Sequence, residues 1–260
     1  MATNFPVVED VHLSNAPVRE VICQVRFPTI LRIAHAEPVE FQERIRDRFP
    51  LLEAERRVVI EAEGMKPGGR ARFRPSVFRF RNREKTRMLS LATDFYALSF
   101  TDYKHWGGFA DWLSDAARAV QEVYAVPYST RIGLRYINMV DRGLGDFAEF
   151  DAVLDLFRDE LTVMLRTDVI LSPQLAMHRI ETVTDGDQFT FRYGLIHEDT
   201  PPEPRFVLDF DHYAEGELGL DDLLSRCERY HRHIYNAFRW CIAEGKLGVF
   251  RPETDPGNGI

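Results

Sequence analysis

The stretch Val18-Arg-Glu-Val-Ile-Cys-Gln-Val-Arg-Phe27 places Val21, Cys23, Val25 and Phe27 on one side and Gln24 and Arg26 on the other. That period of two marks a half-buried β-strand. A stretch of the same character, Arg131-Ile-Gly-Leu-Arg-Tyr-Ile-Asn138, opens the second half of the chain, and Arg135 stands 109 residues after Arg26. Each stretch leads into the same order of elements. After the first, Pro38 opens a segment in which Phe41, Ile45 and Phe49 recur every four residues, with Glu40 and Glu43 in its first turn and Pro50 just past its end. This is a helix entry pattern. A Gly-rich loop over 64–69 leads to strands over 77–81, 86–92 and 95–101, and to a helix over 106–124 with Phe109, Leu113, Ala116, Ala117 and Val120 on its apolar side. The second series is a strand over 131–140, a helix over 147–165, strands over 175–183, 188–195 and 206–210, and a helix over 220–242.

Both series read β-α-β-β-β-α. Val207 comes 110 residues after Ala97 and Leu220 comes 111 after Phe109, nearly the offset of the two arginines, which points to internal duplication with halves 1–126 and 127–260 forming one fused unit. Helices that succeed strands in this way indicate an α+β fold: a mainly antiparallel sheet with helices on one face and the other face open. TATA-binding-protein-like and related duplicated folds share that layout, and the topology by itself carries no function.

If the helices cover Phe27, Phe78, Phe80, Phe100, Leu134, Tyr136, Phe189, Phe191, Leu208 and Phe210, alternation turns a polar set forward. Gln24, Arg26, Arg79, Arg81, Arg135, Gln188, Thr190, Arg192, Asp209 and Asp211 make up that face. Guanidinium forks match carboxylate and phosphate, so the arginines are candidates for an anionic or mixed-charge ligand; cross-strand Arg–Asp pairing on a solvated face is the plainer expectation. Arg26 and Arg135 occupy equivalent positions near the axis between the halves, as a quasi-symmetric clamp would, or as structural arginines paired with Asp209 would. Asp209 and Asp211 on one strand face are also how two acids share a divalent cation in a hydrolase or nuclease, with third ligands to be sought among His197, Glu198, Asp199, Glu228 and His231. No spacing demands that site, and no metal or cofactor is expected. The run Tyr230-His231-Arg232-His233 reads as a helix surface with Tyr230 and Ile234 packed inward.

With 33 Lys+Arg against 41 Asp+Glu the net charge is −8, which opposes general attraction to phosphate backbones or anionic membranes. A local exception runs from Lys66 to Arg87, with nine basic residues and Glu84 alone in opposition, while the stretch from Glu198 to Asp222 reverses the balance. Nucleic acid could meet the basic segment, yet Phe73, Phe78 and Phe80 alternate toward the core and leave it no stacking platform. Cys23, Cys227 and Cys241 form no CxxC pair and leave one thiol over in any disulfide scheme, and no signal peptide or apolar span is visible, so a reducing cytoplasm is expected. No GxSxG, HExxH, GxGxxG or Walker sequence is present, and 64–69 lacks the Lys-Ser/Thr of a P-loop. Trp112, Phe157 and Trp240 are candidates for outward helix positions that would build a homo-oligomer.

The segments Asn15-Ala-Pro-Val-Arg-Glu20, Gly133-Leu-Arg-Tyr-Ile-Asn138 and Leu208-Asp-Phe-Asp211, with Trp106 and Phe238, resemble a family of conserved hypothetical proteins sporadically distributed among bacteria and archaea. The resemblance spans nearly the whole chain. It implies a cytoplasmic single-chain protein and supplies no mechanism; the patchy distribution is like that of accessory or defence-type genes. The resulting expectation is a non-enzymatic binding or interaction protein, with the metal-dependent hydrolase as the alternative.

Overall fold

The computed structural model describes residues 3–59, 72–169, 173–198 and 203–253. Among them the strands are β1 (Val18–Arg26), β2 (Leu51–Val59), β3 (Arg72–Arg81), β4 (Arg87–Ala92), β5 (Phe95–Phe100), β6 (Ser129–Val140), β7 (Ala176–Thr184), β8 (Asp187–Glu198) and β9 (Glu203–Leu218). They form one antiparallel sheet in the order β2-β3-β4-β5-β1-β6-β9-β8-β7. Six α-helices accompany it: α1 (Leu31–His35), α2 (Val39–Ile45), α3 (Trp106–Tyr124), α4 (Phe150–Leu154), α5 (Asp159–Thr162) and α6 (Leu223–Cys241). The α+β class expected from the alternation is the one observed. The Gly-rich loop over 64–69, with Lys66 and Arg70, lies outside the described residues.

The two long helices pack where the alternation requires. In α3, Phe109, Leu113, Ala116 and Val120 recur on one face and are buried; the His105 ring accepts from Gly108 N at 3.0 Å to cap the first turn, and Ala125 ends the helix in the left-handed region at φ 49°. In α6, Leu223, Cys227, Tyr230, Ile234, Ala237 and Cys241 are buried on one stripe. Phe100 meets Phe109 at 4.9 Å between ring centroids, Phe41 of α2 meets Phe80 at 5.6 Å, and Phe157 meets Phe206 at 4.4 Å, so all helical layers sit on the same sheet face. Every residue assigned above to the covered face is buried. Each of these large side chains contributes about 1.5–3 kcal/mol on burial.

Outward from the central β1–β6 seam the strand order is β1-β5-β4-β3 on one side and β6-β9-β8-β7 on the other. The expected repeat would give this order, but among the described residues β2 has no counterpart in the second half, and the sheet runs unbroken across the 126/127 boundary. One strand is added, and the helix expected in the second half is corrected. Residues 51–59 form a strand that their mixture of Glu, Arg and aliphatic residues does not announce. The helix expected over 147–165 is broken into α4, α5 and a 3-10 turn, because the backbone at 156–158 pairs with the end of α6 instead: Arg158 N donates to Cys241 O at 3.0 Å and Ala243 N to Leu156 O at 2.9 Å. Phe157 is buried against Phe206, so it is no outward residue, while Trp112, packed on Phe49 and Phe100, and Trp240, packed on Phe5, are half-buried.

An N-terminal strap is the least foreseeable feature. Residues 3–13 cross α6, with Thr3 Oγ1 2.8 Å from His233 Nε2, Val8 N donating to Asn236 Oδ1 and Val11 N to Tyr235 Oη. Asn15 fastens the end of the strap by donating to Leu144 O at 2.8 Å and Val249 O at 3.0 Å, which gives the Asn-Ala-Pro segment a structural task.

Candidate functional site

The uncovered face carries an Arg–Asp lattice centred on β9. Asp209 is only 4% exposed although it points away from the helices. Arg135 grips it with both ends of its fork, Nε donating to Oδ1 and Nη2 to Oδ2, each at 2.7 Å, and Arg192 Nη1 donates to Oδ2 at 3.0 Å. The bond to Asp209 raises the Arg135 pKa above its ordinary value, fixing the cation. Beside it, Arg131 Nη2 donates to Asp211 at 3.1 Å, and its guanidinium stacks 4.2 Å from the Tyr213 ring centroid. The fork folds back over Gly133, where a Cβ would lie 2.5 Å from Nη1 and would push the guanidinium aside. Burial pushes the Asp211 carboxyl up, against the pull of Arg131, Arg135 and Arg192.

Strand register divides the expected site. Gln24 faces Gly133 across the seam, with Arg26 opposite Arg131 and Arg135 opposite Ile22. Arg26 and Arg135 therefore flank the seam on opposite sides, and only Arg135 engages Asp209; Arg26 is exposed and donates to Gln24 Oε1 at 3.1 Å. Arg135, Arg192, Asp209 and Asp211 come together, joined by Arg131. Arg79 and Arg81 do not: β3 is five strands from β9, about 24 Å at the usual spacing, and Arg81 donates to Glu53 at 2.7 Å. Arg87 is tied to Asp102 and stacks on Phe100 and Trp112.

The same geometry leaves Asp209 and Asp211 engaged by arginines rather than converging on a third acid or imidazole. His231, one imagined third ligand, lies on α6 across the sheet, and Asp199 is outside the described residues. Among the described residues no group of three His, Cys, Asp or Glu side chains is placed to hold a metal ion. We derive no metal-dependent step from this arrangement.

Alternation did not reveal a second constellation, on the helical side. A cavity of about 260 Å³ opens between the strap, the start of α3 and the middle of α6. Through it runs a hydrogen-bond chain: Tyr136 Oη donates to Tyr103 Oη at 3.1 Å and lies 2.9 Å from His231 Nδ1, and His231 Nε2 lies 2.9 Å from Asp10 Oδ2. Facing a carboxylate, which only accepts, His231 Nε2 is the donor of the bond to Asp10. Burial pushes both phenols well above their ordinary pKa. The sequence places Tyr136 on the covered face, but the meeting of Asp10, Tyr103 and His231 from three distant segments has no local signal.

No protein-family model matches the chain, and the search of curated proteins found no match. Among the described residues no helix is long and apolar enough to cross a membrane.

Proposed function

We propose that this chain is a binding protein with no catalytic role for its sheet face, and that the uncovered face receives a protein partner or ligand of mixed charge. The observation that carries this reading is the Arg135–Asp209–Arg192 cluster. A buried carboxylate on an open face holds two guanidiniums rigid, which lowers the ordering cost of presenting their remaining donors to a partner's carboxylates. Acidic neighbours on the same face, Glu20 among them, favour a mixed-charge partner over a purely anionic one. The accessory or defence-type setting rests on the family resemblance alone.

The test is affinity capture from lysate of the source cells by the wild type, by Arg26→Glu and by Arg232→Glu on exposed α6. A stoichiometric partner retained by Arg232→Glu, lost by Arg26→Glu and weakened by salt supports the reading. Equal capture by all three proteins refutes it.

A further inference from the structure

We propose that β7 pairs antiparallel with β7 of a second copy of this chain, giving a two-fold dimer whose sheet continues from one protomer into the other. β7 is the last strand on its side of the sheet among the described residues. Natural edges are usually blunted by brevity, Pro, Lys or a bulge. β7 carries none of these. It runs for nine residues, Ala176-Met-His-Arg-Ile-Glu-Thr-Val-Thr184, and its register with β8 is unbroken from Ala176 opposite Leu195 to Thr184 opposite Asp187. Met177, Ile180 and Val183 stand exposed along it.

The backbone decides which residues can pair. Asp185 and Gly186, both at positive φ, make a two-residue turn, and such a turn closes on a hydrogen-bonded pair, Thr184 with Asp187. Alternation then aims the backbone groups of Thr182, Ile180 and His178 at β8, and those of Val183, Glu181, Arg179 and Met177 outward. A two-fold axis at Ile180, the midpoint of the strand, engages all of the outward residues. It sets Arg179 opposite Glu181 of the second copy, Glu181 opposite Arg179, Met177 opposite Val183, and Ile180 against itself. The charges match twice over. An axis at Arg179 or Glu181 would oppose like charges, and one at His178 or Thr182 would separate arginine from glutamate and leave part of the strand unpaired. Within the protomer Arg179 lies opposite Arg192, and its acidic contact is Glu181 of its own strand. In the dimer the row Asp209, Arg192, Arg179 ends on an acid. A second copy is therefore the occupant whose charge pattern this edge fits. The edge lies away from Arg26, so the dimer stands or falls independently of the interaction surface proposed above.

Analytical ultracentrifugation of the full chain over about 1–100 μM tests the proposal, because a one-strand interface is small and a micromolar dissociation constant is expected. The wild type should be dimeric at the upper end and dissociate on dilution. Arg179→Glu and Glu181→Arg are exposed changes that each set two like-charge pairs across the axis, and each should weaken association about tenfold or more. An equimolar mixture of the two variants should associate again, since each strand supplies the charges that the other lacks. Ile180→Cys should cross-link to its own copy on mild oxidation, whereas Thr182→Cys, four residues from its copy in this register, should not; the native cysteines are buried. Arg26→Glu should leave the dimer intact. A monomer at every concentration, a dimer indifferent to Arg179→Glu, no recovery in the mixture, or cross-linking of Thr182→Cys in place of Ile180→Cys overturns the proposal. So does growth into open-ended polymers, the product expected if β7 pairs with β2 of another copy.

Discussion

Acidification should weaken this fold through one side chain in particular, His212 on β9. Its ring stacks on Tyr230 at 4.1 Å and lies 5.6 Å from Phe189 and 4.8 Å from His233, and among the described residues neither ring nitrogen finds a hydrogen-bond partner. Burial, with the nearby His233 and Arg229, lowers its pKa to about 3. The unfolded chain titrates near 6.5, so the folded state resists protonation that the unfolded state accepts. The stability due to a neutral His212 is therefore fully present above about pH 6.5 and is lost as the pH falls toward about 3. Linkage gives a loss of about 2 kcal/mol by pH 5 and about 3 kcal/mol by pH 4. His233, also lowered by burial, adds in the same direction. Urea unfolding of the wild type and of His212→Phe, monitored by tryptophan fluorescence at about pH 7.5 and about pH 5, isolates the effect, since carboxylate titrations are common to both. The phenyl ring keeps the stacking and removes the titration, so the variant should match or exceed the wild type near pH 7.5 and exceed it by about 2 kcal/mol near pH 5. Equal losses in the two proteins would refute this account of His212.

Particular contacts set three further outcomes. Arg135→Met leaves Asp209 with Arg192 alone and, discounted for the partial exposure of Arg135, should cost about 1–2 kcal/mol in denaturant unfolding; adding Asp209→Leu should recover part of that loss. At Gly194, φ is 147° and a Cβ would lie 1.8 Å from Ala176 O, so Gly194→Ala should cost about 2–4 kcal/mol and loosen β7, seen as faster amide exchange there. Cys23, Cys227 and Cys241 are all buried, and the thiols of Cys23 and Cys241 are raised, the first by its contact with Cys227 and the second by burial. A thiol reagent such as DTNB should therefore label none of the three before the chain unfolds, and rapid labelling of the native protein would contradict their placement.

The sequence is most readable where one period holds over a whole element. Alternation in β1 and β6 and the four-residue spacing in α3 locate those elements nearly to the residue and assign the buried face from Phe27 to Phe210. Legibility fails where tertiary pairing overrides the local pattern. Phe150, Val153, Leu154, Phe157 and Leu161 carry a helical period, but backbone bonds to Cys241 and Ala243 break the helix between them. In the site, adjacency along a strand puts Asp209 and Asp211 together, and the choice of Arg135 and Arg192 as partners of Asp209 comes from facing parity. Arg131 shares the facing parity of Arg135, so the same alternation reaches it, while Arg79 and Arg81 are grouped with the rest because parity says nothing about the distance between strands. Asp10 has no neighbour in sequence that hints at His231.

The strand order also sets a timetable. β1 pairs with β5 on one edge, but its other edge waits for β6, with Val21 opposite Tyr136, 115 residues later. At about 5–20 residues per second of synthesis, that edge stays unpaired on the ribosome for roughly 6–23 s. Once β5 is made, 36 residues before Tyr136, the nascent chain can pair β2-β3-β4-β5-β1 into a five-stranded sheet that is open along the apolar run of β1, where another chain can add a strand. A stalled or truncated product ending before residue 129 would keep that edge open for good, so aggregation of such fragments, and their capture by chaperones, is the expected cost of building the sheet outward from a seam between distant segments.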